Sequence, residues 1–167
     1  MEMMITVVIA AILVTAAVPG FRGFITDNRL ATQVNAFVTA LHVARAEAIK
    51  RNLTVTVCKS EDGKSCGNNS KGFEQGWIIF TDQQNPGKVD NNETIINVNQ
   101  GMPQGMSLID INLNNNGGPI SYRADGTSVW NNTTLRLCQK GSNNGRRLII
   151  NSVGRIRVEN IDDCPTA

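Results

Sequence analysis

Between Gly126 and Val158 the chain carries six basic residues, Arg136, Lys140, Arg146, Arg147, Arg155 and Arg157, and no aspartate or glutamate. The planar guanidinium of arginine forks onto phosphate oxygens bidentately, so a basic run of this kind is suited to gripping a polyanion backbone. Leu148-Ile149-Ile150, then Asn151-Ser152-Val153-Gly154, then Arg155-Ile156-Arg157-Val158 reads as strand, turn, strand. In the second strand Arg155 and Arg157 share one face about 7 Å apart, while Ile156 and Val158 can enter a core. With Arg146 and Arg147 nearby they form a stripe able to meet successive phosphates, and Lys140 with the 141–145 loop extends it. The opposing reading is a solvated basic face. Against it stands the charge distribution: the whole chain has sixteen Lys and Arg to fourteen Asp and Glu, so acid predominates outside this segment. No base-reading module or aromatic stacking platform accompanies the arginines. The expected binding is electrostatic, sequence-tolerant, salt-sensitive and of modest affinity.

Other chemistry is sparse. His42 is the one histidine. Glu47 lies five residues on, off its helical face, so neither a catalytic constellation nor a helical metal pair is expected. An enzyme and a cofactor are not expected. Cys58, Cys66, Cys138 and Cys164 lack a Cys-x-x-Cys knuckle, which favours disulfides in an oxidising compartment over a metal site. Three pairings are possible, and proximity favours Cys58 with Cys66 and Cys138 with Cys164.

The elements that must carry these groups begin with Met3 to Val18, sixteen residues without a charge, apolar all round and short of the ~20 that span a bilayer. No basic region precedes it and helical periodicity continues beyond it, against a cleaved signal peptide. Past Pro19, where a kink is expected, Leu30, Val34, Phe37, Leu41, Ala44 and Ala48 form a stripe at steps of four and three, with Asn28, Thr32, Asn35, Thr39 and Lys50 opposite. One helix to about Arg51 follows, resting its stripe on an apolar head.

The head reads as an antiparallel sheet system. Leu53, Val55 and Val57 alternate with Thr54, Thr56 and Cys58 in a half-buried strand. Further strands are expected over 76–81, 94–99, 107–113, 120–123, 134–139, 147–151 and 155–159, separated by turns at 114–119, 125–126 and 142–145. Trp77 and Phe80 are assigned to packing.

Glu2 beside an apolar run is costly in lipid and marks a function. The stretch Glu2-Met3-Met4-Ile5-Thr6-Val7-Val8-Ile9-Ala10-Ala11-Ile12-Leu13 resembles the N-terminus of type IV pilins and pseudopilins. Arg45-Ala46-Glu47-Ala48-Ile49-Lys50-Arg51 and Gly76-Trp77-Ile78-Ile79-Phe80-Thr81-Asp82 resemble blocks of the minor pilins and pseudopilins of the FimT/GspH type, over nearly the whole chain. The resemblance implies an α+β, type IV pilin-like fold: residues 1–27 as the transmembrane and filament-core half of the helix, 28–167 as the head. It also implies Glu2 as an assembly contact, other pilin subunits as partners, an inner-membrane anchor with a periplasmic head, and a prepilin peptidase if the true N-terminus carries the leader. The basic leader and the glycine of the peptidase site do not precede Glu2 here, and an incomplete start is expected. Gly154-Arg155-Ile156-Arg157 is similar to the Gly-Arg-x-Arg motif of FimT-type minor pilins implicated in binding DNA during natural transformation. The alternatives are a structural GspH-like pseudopilin or pilus-priming subunit without DNA binding, and adhesion to another anionic surface.

Overall fold

The computed structural model describes residues 2–67, 71–111, 118–129 and 132–165, with the side chains of residues 2, 14, 16–20 and 22 outside that description. A single helix, α1, runs Glu2–Arg51, 50 residues and so about 75 Å at 1.5 Å per residue. The helix passes through Pro19 without interruption. The expected stripe is the buried one: Leu30, Phe37, Leu41, Ala44 and Ala48 are fully covered and Val34 nearly so. Asn28, Thr32, Asn35, Thr39 and Lys50 are exposed. Upstream of the stripe, Met3, Ile5, Val8, Leu13, Phe21 and Phe24 are exposed. Among the described residues no helix is long and apolar enough to cross a membrane.

Eight strands follow: β1 (Val55–Lys59), β2 (Gly76–Thr81), β3 (Ile95–Gln100), β4 (Met106–Asp110), β5 (Ile120–Tyr122), β6 (Thr133–Gln139), β7 (Gly145–Ile150) and β8 (Ile156–Ile161). Each matches an expected strand to within a few residues at its ends. They form two four-stranded sheets, ordered β3-β2-β1-β5 and β4-β6-β7-β8, antiparallel throughout. The expected end of the fourth strand at 112–113, and most of the 114–119 turn, lie outside the described residues.

The helix stripe, both sheets and Phe73 share one core. Phe37 meets the rings of Phe73 and Trp77 edge-on at 5.0 and 5.1 Å, a geometry that sets a positive ring edge against a negative face. The expectation that β1 is half-buried is corrected, because all five of its residues are buried. Its far face is covered by a second cluster of Cys58, Ile78 and Phe80 with Cys66, Val89 and Ile95. There Thr56 also donates to Asp82 at 2.7 Å and lies 2.6 Å from the Ser121 hydroxyl, so the polar residue that periodicity assigned to water is satisfied internally.

Both proximal cysteine pairs are disulfides, Cys58–Cys66 and Cys138–Cys164. The second ties the C-terminal segment to β6. It needs a close approach to β7: a Cβ on Gly145 would collide with Cys164 Sγ.

Candidate nucleic-acid interface

Strands β6, β7 and β8 carry four of the six cations, Arg136, Arg146, Arg147 and Arg157, with Lys140 and Arg155 directly flanking them, and strand parity divides the four between two faces. Arg136 pairs in register with Arg147, and Arg147 with Glu159; Ile149 pairs with Arg157, and Leu148 with Val158. Arg136, Arg147, Arg157 and Glu159 therefore share the outer face of the sheet. Arg146, next to Arg147 in the same strand, must point the other way. It is 9% exposed, and donates to Gly145 O at 3.0 Å and to Asp27 of the helix at 2.5 Å. The continuous stripe expected from Arg146, Arg147, Arg155 and Arg157 is thus corrected: Arg146 joins the helix to the head.

Carboxylates absent from the basic segment arrive from outside it. Asp163 lies 3.2 Å from Arg147 and 3.7 Å from Arg136, brought there by the neighbouring Cys138–Cys164 bridge. Glu159 lies 2.6 Å from Arg157. Lys140 follows β6 and Arg155 precedes β8, so they sit at opposite ends of the six-residue β7, about 20 Å apart at 3.3 Å per residue. The Lys140 extension of the patch does not join Arg155. Val158 is 41% exposed, although its parity directs it inward, because β8 is an edge strand; of its inward pair only Ile156 packs on the core.

Arg155 is exposed and, among the described residues, has no ion pair. The turn that presents it is tightly tied. Asn151 N–H donates to Arg155 O at 3.1 Å, Gly154 N–H to Asn151 O at 2.9 Å, and Arg155 N–H to Asn151 Oδ1 at 2.8 Å. Ser128 N–H donates to Ser152 O at 3.0 Å, fixing the turn to the loop after β5. Gly154 is buried with φ +76°, and a Cβ there would collide with Gly126 O and stand 3.2 Å from Tyr122 Cε1. Only glycine takes both the left-handed backbone and the contact without strain.

Two cations at this end were not singled out from the sequence. Arg45 Nε donates to Gly126 O at 2.9 Å and its Nη2 to Val153 O at 3.1 Å. Arg123 donates to Ser128 O at 3.2 Å and is exposed. Arg45 stands 81 and 108 residues from its acceptors, so no local pattern announces it; the sequence signal was only its place in the block that ends the helix. The loop also holds one carboxylate, Asp125, whose pKa is lowered by hydrogen bonds from Thr127 and which therefore stays ionised. The carboxylate of Glu2, the assembly candidate, lies outside the described residues.

Tyr122, the one tyrosine, is fully buried under this turn. Burial pushes its phenol from 10.0 up to about 12, against the charge of Arg45. The neutral phenol is the form the fold favours, so this contribution to stability is complete below pH 10 and is lost as pH rises from there through about 12. We expect phenolate absorbance to develop near pH 12 in the folded chain and near pH 10 in denaturant, and an alkaline titration with both midpoints equal would contradict this packing.

Comparison with known proteins bears on the whole head. Residues 33–154 match the family described as type II transport protein GspH. The crystal structure of the type IV minor pilin FimU of Pseudomonas aeruginosa superposes with a TM-score of 0.63 at 22% identity, over 81% of this chain and 92% of that one. The minor pseudopilin EpsH from the type 2 secretion system of Vibrio cholerae superposes with a TM-score of 0.53 at 14% identity, over 78% and 96%. A comparison with curated proteins finds no match. The α+β, pilin-like architecture is shared with both structures: one long helix packed on antiparallel sheets.

Proposed function

The chain belongs to the GspH family of type II transport proteins, and from that premise we propose that it is a minor pilin-type filament subunit whose head holds DNA by its phosphate backbone, supporting DNA uptake. The supporting observation is Arg155: an exposed guanidinium without a carboxylate partner among the described residues, held on a rigid turn. Arg123 and Arg45 belong to the same turn and loop cluster, and Arg157, paired with Glu159, lies two residues on in β8. Preorganisation lowers the ordering cost of gripping a phosphate.

The exposed apolar start of α1 suits burial among the helices of neighbouring subunits, with residues 1–27 held in the inner membrane before assembly and Glu2 as the contact that sets register. The turn lies beside Arg45, near the C-terminal end of the helix and far from that buried start, which leaves it accessible on a filament.

The reading is tested by titrating the full chain, in non-ionic detergent, with two duplexes of unrelated sequence. Equal affinities for both, reduced in parallel by Arg155→Gln, are expected; strong preference for one sequence, or no binding to either at low salt, would refute it. A second reading, a structural pseudopilin subunit without DNA binding, is favoured by one observation: Arg136, Arg146, Arg147 and Arg157 all have carboxylate partners. Incorporation into a filament without any retention of DNA is its expected signature.

A further inference from the structure

We infer that Arg45 is the positioning residue of this interface: its guanidinium fixes the 151–155 turn so that Arg155 stands ready for a phosphate. The inference rests on the DNA-binding reading above for its purpose, and on independent geometry for its mechanism.

Arg45 sits on the flank of the buried helix stripe, next to Ala44 and one turn before Ala48. From there it reaches two separate loops at once, donating to Gly126 O through Nε and to Val153 O through Nη2. The two carbonyls are met by separate nitrogens of one planar fork, Nε and Nη2, a spread and fixed donor geometry that the three donors on lysine's single nitrogen do not reproduce. Ile49, one turn on, flanks the same glycine: a Cβ on Gly126 would stand 2.9 Å from Ile49 Cδ1 and 3.2 Å from Arg45 Nε. Gly154 then packs directly against the Gly126 carbonyl that Arg45 holds. The two glycines and the one guanidinium thus form a three-way contact between helix, β5–β6 loop and β7–β8 turn.

Arg155 is the next residue in the chain. Its backbone is fixed on both sides, through Asn151 by its own N–H and carbonyl, and through Val153 and Gly154 by the Arg45 contact. Among the described residues Arg45 has no ion pair. Its charge is therefore engaged by carbonyl dipoles and remains beneath the turn, a potential that favours an anion at Arg155.

The test uses the full chain in non-ionic detergent, with Arg45→Lys, Arg45→Gln, Arg155→Gln and the Arg45→Lys/Arg155→Gln pair. Backbone amide spectra without DNA come first. In Arg45→Lys the shifts are expected to change in residues 123–129 and 151–155 and little elsewhere. Titration with a mixed-sequence duplex should then show Arg45→Lys weakened about fivefold, as expected for losing roughly one phosphate contact, although its charge is retained. The same substitution should cost nothing further once Arg155 is Gln. Wild-type affinity in Arg45→Lys, or an equal loss with and without Arg155, would overturn the inference, the latter by making Arg45 a separate contact. If Arg45→Gln does not fold, the unmodified chain still decides: Arg45 Nε–H should exchange with solvent more slowly than Arg155 Nε–H, and equal rates would refute the clamp. Undiminished DNA binding by Arg155→Gln would instead defeat the DNA reading, while the amide map continues to judge the clamp on its own.

Discussion

Replacing Gly154 with alanine should lower the stability of the head by about 2–3 kcal/mol, the sum expected for an L-residue held at positive φ and for a forced local shift. The backbone at Gly154 has φ +76°, and the added Cβ would collide with Gly126 O, a backbone atom fixed in turn by Arg45. Neither partner can yield as the tip of a flexible side chain would. The turn must move, and Arg155 moves with it. A denaturant titration should therefore show a lower midpoint with an unchanged slope, together with weakened DNA binding by the remaining folded protein. Wild-type stability in Gly154→Ala would mean that the turn is not built as described.

Removing the C-terminal disulfide should separate stability from affinity. Cys138→Ser/Cys164→Ser opens a link of sequence separation 26, for which chain-entropy arguments give a loss of roughly 3 kcal/mol. The same change releases Asp163 from Arg147 and Arg136, which it faces at 3.2 and 3.7 Å. Two guanidiniums on the outer face that also carries Arg157 then lose their counterion. The variant should unfold at lower denaturant yet bind DNA more tightly, by a small factor, since partly exposed pairs are worth about 0.2–1 kcal/mol. Asp163→Asn, which leaves the disulfide in place, should reproduce the gain in affinity without the loss of stability. Unchanged or weaker binding in both variants would show that these two arginines face away from the DNA.

The sequence was informative where a single element's period carries the information. Steps of three and four from Leu30 to Ala48 identify the buried stripe because one helix face meets one core. Short spacing also favoured the two disulfides that are present. Period two was less sufficient: Thr56 reads as solvent-facing, but a second cluster and Asp82 cover that face, and Val158 reads as inward but lies on an edge strand. The division of the arginines was partly visible, since adjacent Arg146 and Arg147 must oppose one another in any strand. Their partners were not visible, because Asp27 lies 119 residues from Arg146 and Asp163 reaches Arg147 only through the path set by a disulfide. The Gly-Arg-x-Arg segment is therefore legible in the sequence, while tertiary contacts decide which of its charges lack a carboxylate partner. Arg45 and Arg123 enter the site for the same reason.

In the proposed function DNA is held at the 151–155 turn by Arg155 with its neighbours Arg157 and Arg123. The most direct measurement is the salt dependence of DNA binding by the full chain and by Arg155→Gln/Arg157→Gln. Plots of log K against log salt should have a slope of about −2 to −3 for the unmodified chain, as for two or three phosphate contacts, and the double variant should flatten it by roughly one to two units. A folded double variant with the same affinity and the same slope would contradict the account.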